Sequence, residues 1–172
     1  MNLIVSVDKN WGIGREGKLL YPIPADMKQF KAHTLGKAVV LGRLTLATFP
    51  KRQPLPGRDN IILSHDSSYT VPGAAIVHSL SELFALLRAY EDDNIYVIGG
   101  ESVYRLLLPY CRRAYVTELE KDFSADRFLP NLAKDENWQL EESSLRFEHE
   151  GVGYYFRTYT NKNVKNWQNS LA

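Results

Sequence analysis

Short apolar runs alternate with helical patterns along the first two thirds of this sequence, and that alternation limits the possible folds more than any other feature. Six runs have the length of strands, at residues 2–7, 37–41, 60–63, 75–77, 94–98 and 114–118. Helical spacing of apolar residues appears between several of them, at residues 25–35, 44–48, 80–90 and 101–108. Strands that alternate with helices predict an α/β protein with a mostly parallel sheet.

The last third of the sequence has a different pattern. Residues 138–147 and 153–159 flank a Glu-Gly-Val-Gly turn, and the second run is aromatic and β-branched, so the two predict an antiparallel hairpin. We therefore expect a single α/β domain over residues 1–160, with a predominantly parallel twisted central sheet, an antiparallel C-terminal hairpin strand at its edge and helices on both faces. Residues 161–172 are polar apart from Trp167, and we expect a loose, disordered tail there.

Composition and charge favour a small ligand. The chain has 172 residues and a net charge of +1, from 21 basic and 20 acidic side chains, without a dense basic block, so neither nucleic acid nor a membrane is an expected partner. The single cysteine, Cys111, excludes an intramolecular disulfide, and no CxxC or HExxH spacing predicts a metal site. We expect a monomeric cytoplasmic protein in which Cys111 is buried.

Three strand ends carry residues that suit phosphate. In YVIGGESVYRLL, residues 96–107, the turn at Gly99 and Gly100 leads directly into a helix, so the turn is either a diphosphate cradle or only a tight strand-to-helix connection. In VVLGRLTLATF, residues 39–49, Gly42, Arg43 and Thr45 offer the same chemistry, although Arg43 alone also fits a surface ion pair. Ser64 and His65 follow a third strand, as phosphate ligands or as a capping serine and a solvated histidine.

The segment between the first strand and the first helix completes the candidate site. Residues 8–23 contain three glycines and little periodicity, which indicates a loop that is either a lid or a floppy connection. Asp26 follows in the first helical turn, at the edge of the apolar sector formed by Ile23, Met27 and Phe30. This carboxylate either complements the helix dipole or accepts hydrogen bonds from a planar heterocycle, and burial there would raise its pKa.

With these elements placed, residues 2–159 resemble the bacterial dihydrofolate reductases. The matching motifs occur in order: GIG at 12–14, PADMKQFKAHTLGK around Asp26, LGRLTLATFPKR, PLPGRDNIILS, VIGGESVY, and YVTEL at 115–119. The resemblance implies NADPH-dependent reduction of 7,8-dihydrofolate to tetrahydrofolate, with hydride transfer to C6 and proton transfer to N5, and it implies binding of antifolates. A same-fold pyrimidine reductase of riboflavin synthesis and a non-catalytic NADPH-binding module remain the alternatives.

The resemblance also assigns roles to single residues. Asp26 would hold the 2-amino and N3 edge of the pterin, supported by Thr117, and Arg58 would bind the glutamate α-carboxylate. The remaining substrate contacts would come from Ile4, Met27, Phe30, Lys31, Phe49, Leu55 and Ile98. The cofactor contacts would come from Ser6, Ile13, Gly14, Lys18, Gly42, Arg43, Leu44, Thr45, Ser64, His65, Gly99, Gly100, Glu101, Ser102, Val103 and Tyr104.

Three positions depart from the family pattern. Leu20 and Tyr21 replace a usual Pro-Trp pair whose indole orders a water near the pterin, so we expect the Tyr21 hydroxyl to take that catalytic role. Ser6 replaces a usual alanine. Residues 124–127 replace a Gly-Asp-Thr stretch that steadies the lid and keep only its aspartate, Asp126, which we expect to bond the lid amides.

Overall fold

The protein is built around a nine-stranded sheet, and its computed structural model describes residues 1–170. The strands in chain order are β1 (Asn2–Val7), β2 (Gly12–Gly14), β3 (Ala38–Gly42), β4 (Asp59–Leu63), β5 (Ala74–Val77), β6 (Ile95–Gly99), β7 (Arg113–Leu119), β8 (Arg127–Phe128), β9 (Trp138–Ser143), β10 (Phe147–His149) and β11 (Val152–Asn161). The main sheet has the order β10-β11-β7-β1-β6-β3-β4-β5, with β9 also paired to β11, while β2 and β8 form a separate pair.

Four α-helices connect the strands: α1 (Pro24–Thr34), α2 (Arg43–Leu46), α3 (Leu80–Leu87) and α4 (Glu101–Leu107). Local sequence fixes where they begin. Pro24 occupies the first turn of α1, where its missing N–H costs nothing. Ser79 caps α3, because its Oγ accepts a hydrogen bond from the Glu82 amide while the Glu82 carboxylate accepts one from the His78 amide. Within residues 1–170, no helix is both long and apolar enough to cross a membrane.

The parallel pairing places three strand ends side by side. Strands β6, β3 and β4 are neighbours and run parallel, and their register pairs Leu41 with Gly99 and Gly42 with Leu63. The last residues of the three strands therefore share one edge of the sheet. Since each of these strands is followed by one of the phosphate-friendly turns, the predicted turns are brought together at that edge.

Strand residues alternate between two apolar layers on the two faces of the sheet. In β3, Val40 belongs to the larger cluster, whereas Val39 and Leu41 belong to the smaller one. Helices α3 and α4 contribute to the larger cluster, and α1 and α2 contribute Phe30 and Leu46 to the smaller one. The predicted α/β fold, with a mostly parallel sheet, an antiparallel edge and helices on both faces, is confirmed.

Two local expectations were wrong. The run predicted as one strand over residues 138–147 is divided into β9 and β10, because Ser144 uses both its amide and its Oγ to bond the backbone of Phe156 and so interrupts the ladder. The predicted loop over residues 8–23 contains the short strand β2, whose pairing with β8 ties it to the distant residues 127–128.

The polar tail is packed against the domain up to Ser170, whereas residues 171–172 lie outside the described part of the chain. Trp167 is 3% exposed, and its indole Nε1 donates a 2.8 Å hydrogen bond to the Asp92 carboxylate. Its ring lies 5.8 Å from that of Phe84 on α3. The expectation of a loose tail failed because one buried aromatic side chain anchors an otherwise polar segment.

We expect Trp167→Ala to lower the free energy of unfolding by about 3 kcal/mol, because it removes a buried aromatic side chain. Trp167→Phe should lose much less, since it keeps the ring contact and removes only the hydrogen bond to Asp92. Urea unfolding followed by circular dichroism measures both. The matched control is exposed Gln168→Ala, and equal stability of Trp167→Ala and this control would contradict the anchoring role.

Candidate active site

Asp26 lies where α1 crosses β7. Thr117 of β7 donates a 2.6 Å hydrogen bond from its Oγ1 to Oδ1 of Asp26. The Asp26 side chain is half-buried, while Thr117 is buried, so the pair faces both protein and solvent. The structure thus brings together the two polar residues that the family resemblance placed in contact, although they are 91 positions apart.

The surroundings of Asp26 favour its protonated form. Burial raises the pKa of the Asp26 carboxyl, and the hydrogen bond from Thr117 offsets part of this effect. Nearby, the buried Tyr104 hydroxyl donates a 2.8 Å hydrogen bond to the carbonyl of Ile4. Burial raises the pKa of Tyr104, and the negative charge of Asp26 adds to that shift, so Tyr104 remains a neutral donor.

Apolar side chains form a wall next to the carboxylate. Ile4 and Ile98 belong to the smaller core cluster, and Phe30, Phe49 and Leu55 pack against that cluster. Met27 is 58% exposed on α1, one residue after Asp26. An apolar wall with one carboxylate at its margin is the usual composition of a site that binds a flat heterocycle.

Arg58 is held in place by two hydrogen bonds. Its Nε donates to Oγ1 of Thr34 at 3.1 Å, and its Nη1 donates to the carbonyl of Pro56 at 2.7 Å. Partial burial lowers the pKa of Arg58. Arg58 and Leu55 line a cavity of about 440 Å³ between residues 52–60 and 71–73. A guanidinium fixed in this way is suited to bidentate binding of a carboxylate.

The glycine turns meet at the edge defined by β6, β3 and β4. Gly99 has φ 118°, which only glycine adopts readily, and a Cβ there would lie 3.1 Å from the Tyr104 ring. A Cβ on Gly100 would lie 3.1 Å from Oγ1 of Thr45, which belongs to the neighbouring turn. The two turns are therefore in direct contact, with backbone groups uncovered by side chains.

A cationic corner lies beside these turns. Arg43 is 3.7 Å from the Asp66 carboxylate, and its guanidinium carbon is 5.8 Å from the centre of the Tyr69 ring. Ser64 is buried, and its Oγ accepts a hydrogen bond from the Asp66 amide, while His65 is exposed. The structure thus brings Arg43 and the segment with Ser64 and His65 to one corner, as the sequence predicted.

The other predicted cofactor residues lie on β1 and β2, in the 8–23 segment, and on α2 and α4. Ser6 lies on β1 paired with Thr117, and Ile13 and Gly14 lie on β2. The side chains of Lys18, Leu44 and Ser102 are exposed, and Val103 is buried. Glu101 is directed elsewhere, because its carboxylate accepts from the Phe128 amide and pairs with Arg105. Lys31 is exposed on α1.

Hydrogen bonds tie the 8–23 segment to residues 121–126. Oδ2 of Asp126 accepts a 2.9 Å hydrogen bond from the Glu16 amide, and the Asp126 amide donates to the carbonyl of Gly14. The bond from the Glu16 amide is the contact expected of Asp126. The carboxylate of Asp8 binds the amides of Gly12 and Phe123, which also holds the segment against residues 121–126.

Tyr21 makes no hydrogen bond to Asp26. Its hydroxyl lies 3.4 Å from the carbonyl of His149 and 3.3 Å from the Glu150 carboxylate, both at the tip of the β10–β11 hairpin. Its ring stacks on Phe123 at 5.0 Å between ring centres. The hydroxyl therefore points towards the hairpin, and the catalytic role expected of Tyr21 stays a prediction.

Sequence reasoning missed the residues that position others. Thr34 accepts from Arg58 and donates to the carbonyl of Phe30. The buried Asn60 side chain bonds both the amide and the carbonyl of Leu55 and also reaches the carbonyl of Arg58. The sequence signal for Asn60 was a polar side chain near the start of a buried strand, because burying its amide without hydrogen bonds would destabilise the fold. Residues 1–170 contain no group of three His, Cys, Asp or Glu side chains arranged to hold a metal.

The fold and site together define a single-domain α/β nucleotide-binding protein with an acidic, apolar-walled cleft. Residues 1–161 match the family model described as dihydrofolate reductase. The dihydrofolate reductase of Mycobacterium tuberculosis is 37% identical over 151 residues, covering 86% of this chain and 89% of that protein. That of Staphylococcus haemolyticus is 32% identical and covers 92% and 94%. The chain belongs to the dihydrofolate reductase family.

A solved structure agrees with this assignment. The dihydrofolate reductase of Enterococcus faecalis, complexed with NADP(H) and RAB-propyl, superposes with a TM-score of 0.82 at 31% identity, covering 93% of this chain and 95% of that one. The similarity extends over nearly the whole of both chains, so the nucleotide edge and the Asp26 cleft both lie within the shared fold.

Asp26→Asn should stabilise the folded protein at neutral pH. Because the folded pKa of Asp26 is raised above its unfolded value of about 3.9, the native state binds more protons between the two values and loses stability as pH rises through that window. Above the folded pKa the full cost of the buried charge applies, and asparagine avoids it while still accepting from Thr117. Urea midpoints should be higher for the variant at pH 7 and equal at pH 3; a less stable variant at pH 7 would contradict the burial effect.

Proposed function

We propose that this protein reduces 7,8-dihydrofolate to 5,6,7,8-tetrahydrofolate with NADPH. The observation that carries the proposal is the Asp26–Thr117 pair, which lies beside an apolar wall. Arg58 flanks that wall, and the paired glycine turns lie at the edge of the same sheet. These features suit an acidic anchor for a pterin, a basic anchor for a carboxylate and a cradle for a diphosphate. The reaction consumes dihydrofolate, NADPH and one proton and yields tetrahydrofolate and NADP⁺.

The residues at the sheet edge fit the cofactor. A Cβ at Gly99 would crowd Tyr104, and a Cβ at Gly100 would crowd Thr45. Glycine at both positions therefore leaves the backbone accessible to phosphate oxygens. Arg43, Ser64 and His65 would bind the 2′-phosphate that distinguishes NADPH. Ser6, Ile13, Gly14 and Tyr104 would line the nicotinamide, which supplies the hydride when the cofactor is bound.

Side chains of this protein would orient the substrate and assist the protonation of N5. Asp26 would accept hydrogen bonds from the 2-amino group and N3 of the pterin, which fixes the ring against Phe30 and Ile98. Its raised pKa suits a group that helps N5 to gain a proton. Arg58, already oriented by Thr34, would bind the α-carboxylate of the glutamate. Antifolates that present an amino-substituted heterocycle would compete for the same carboxylate.

The proposed activity is that of a small metabolic enzyme, which suggests its localisation and oligomeric state. We propose a cytoplasmic monomer that acts on small molecules, without nucleic acid or membrane as a partner. Its near-neutral net charge of +1 and its single buried cysteine support this view.

The direct test is the loss of NADPH absorbance when dihydrofolate is added to the protein. Asp26→Asn should lower turnover at pH 7 about 100-fold or more, because it removes the ionisable group from the pterin site. Absence of turnover in the parent would favour the binding-only alternative. A variant as fast as the parent would instead overturn the role of Asp26 while leaving the reaction intact.

Arg43→Gln should weaken the preference for NADPH over NADH. A charge-assisted contact with a phosphate contributes about 2 kcal/mol, so kcat/KM for NADPH should fall roughly 30-fold. The value for NADH, which lacks that phosphate, should change little. Arg88→Gln, at an exposed arginine after α3, is the matched control. An unchanged NADPH/NADH ratio in Arg43→Gln would remove Arg43 from the phosphate site.

A further inference from the structure

A second cavity, of about 760 Å³, lies beside α1 and shares Ile4, Asp26 and Thr117 with the cleft. From α1 it is lined by Asp26, Gln29 and His33, which are spaced three and four residues apart and so share one side of the helix. Met27 and Phe30 of α1 do not line it, and neither does Arg58. The cavity and the cleft therefore meet at Asp26.

Strand register explains the floor of this cavity. Ile4, Tyr115, Thr158 and Glu142 are aligned across β1, β7, β11 and β9, and all four line the cavity. Thr117 and Phe156 form the next aligned pair and line it as well. Side chains in register on adjacent strands point to the same face, so α1 covers a continuous row of strand residues.

The cavity beside α1 is not filled by side chains, because the helix has little apolar surface on that side. Thr34 is the one buried residue of α1, and Gln29 is exposed. His33 stacks on Tyr115 with 4.3 Å between ring centres, which supports the far end of the helix without closing the cavity. A cavity lined by amide, imidazole, hydroxyl and carboxylate groups has the polar partners that water requires.

The need for such a space follows from the proposed reaction. A pterin bound to Asp26 together with the nicotinamide would cover the cleft side of the carboxylate. The Tyr21 hydroxyl, which was expected to assist from the lid, is directed to Glu150 instead. Water in the second cavity would reach Asp26 from the side of α1 that carries Gln29 and His33.

We propose that the cavity lined by Gln29, His33 and Glu142 is a rear water route, through which solvent reaches the Asp26 carboxyl while substrate and cofactor fill the cleft. The inference rests on the proposed function for its role in reduction. The proton that N5 gains comes from solvent: one proton passes from bulk water along the water in the cavity to the Asp26 carboxylate, and the Asp26 carboxyl releases one proton to N5. Asp26 is thereby regenerated, and no electrons move on this route. Gln29, between Asp26 and His33 on α1, is a positioning residue that keeps the route open.

Charged and titratable groups reach this route from several elements. Glu141 is paired with Arg113, and Arg157 is paired with Glu118. Glu142 forms no salt bridge within residues 1–170. The groups around Asp26 are His33 on α1, Tyr104 on α4, Tyr115 on β7, Glu141 and Glu142 on β9, and Arg157 on β11. Burial and the charge of Lys37 lower the pKa of His33, so His33 is largely neutral at pH 7 and able to accept a proton.

The test is to fill the route with Gln29→Trp and to titrate Asp26. The carboxyl ¹³C resonance of Asp26, assigned by its loss in Asp26→Asn, reports the pKa of this group in the enzyme without substrate. Removing water from one side of the carboxylate should raise that pKa by about one unit, and the apparent pKa of the hydride-transfer step in single-turnover kinetics should rise with it. The dissociation constant of NADPH should not change.

Ala32→Trp is the matched control, because residue 32 is exposed on α1 and does not line the cavity. It should titrate like the parent. A second variant, Glu142→Gln, removes a negative charge from the cavity and should lower the pKa of Asp26, since like charges disfavour ionisation. Coincident titrations of Gln29→Trp and Ala32→Trp overturn the rear route, as does an unchanged pKa in Glu142→Gln.

Failure of the route and failure of the proposed function are distinguishable. If the parent oxidises NADPH with dihydrofolate but Gln29→Trp leaves the titration and the pH profile unchanged, the reductase activity stands and the route is wrong. If the parent shows no turnover, the carboxyl titration still decides whether the cavity hydrates Asp26.

Discussion

The parallel register of β6, β3 and β4 is the constraint on which the rest of the site depends. Because Leu41 pairs with Gly99 and Gly42 pairs with Leu63, the three strands end at one edge and their following turns touch. If the strands were shifted along one another, the turns that follow them would no longer lie side by side. The same sheet continues through β1 to β7, which presents Thr117 to Asp26, so one hydrogen-bonded ladder positions both the nucleotide edge and the acidic cleft.

Local sequence patterns were sufficient for the fold class and for the three turns. A strand followed directly by glycine and a helix has few alternative structures, and the parallel sheet then aligns the turns. The pairing of Asp26 with Thr117 was not available from spacing, since 91 residues separate them, and it came from the family resemblance. Trp167 was missed for the opposite reason: composition describes a segment as a whole, whereas one buried indole decides whether it packs.

Tyr21 shows where a substitution within a family pattern redirects a contact. The ring lies on Phe123 and at the edge of His149, and its hydroxyl reaches the hairpin tip. The raised pKa of Tyr21, caused first by burial and then by Glu150, keeps the hydroxyl protonated as a donor at neutral pH. Together with Asp126 and Asp8, this contact ties the 8–23 segment to two separate parts of the domain, so Tyr21 helps to hold that segment in place.

Helix α1 connects these features, because it is held by polar contacts more than by apolar burial. Thr34 is its one buried residue, and its fixed points are the bond from Arg58 to Thr34 and the bond from Thr117 to Asp26. A helix packed on the sheet with an apolar face on both flanks would leave Asp26 without water and raise the cost of its charge further. Because α1 buries little apolar surface, the Asp26 carboxyl stays half-buried against β7, and its pKa is raised without the carboxyl being sealed from solvent.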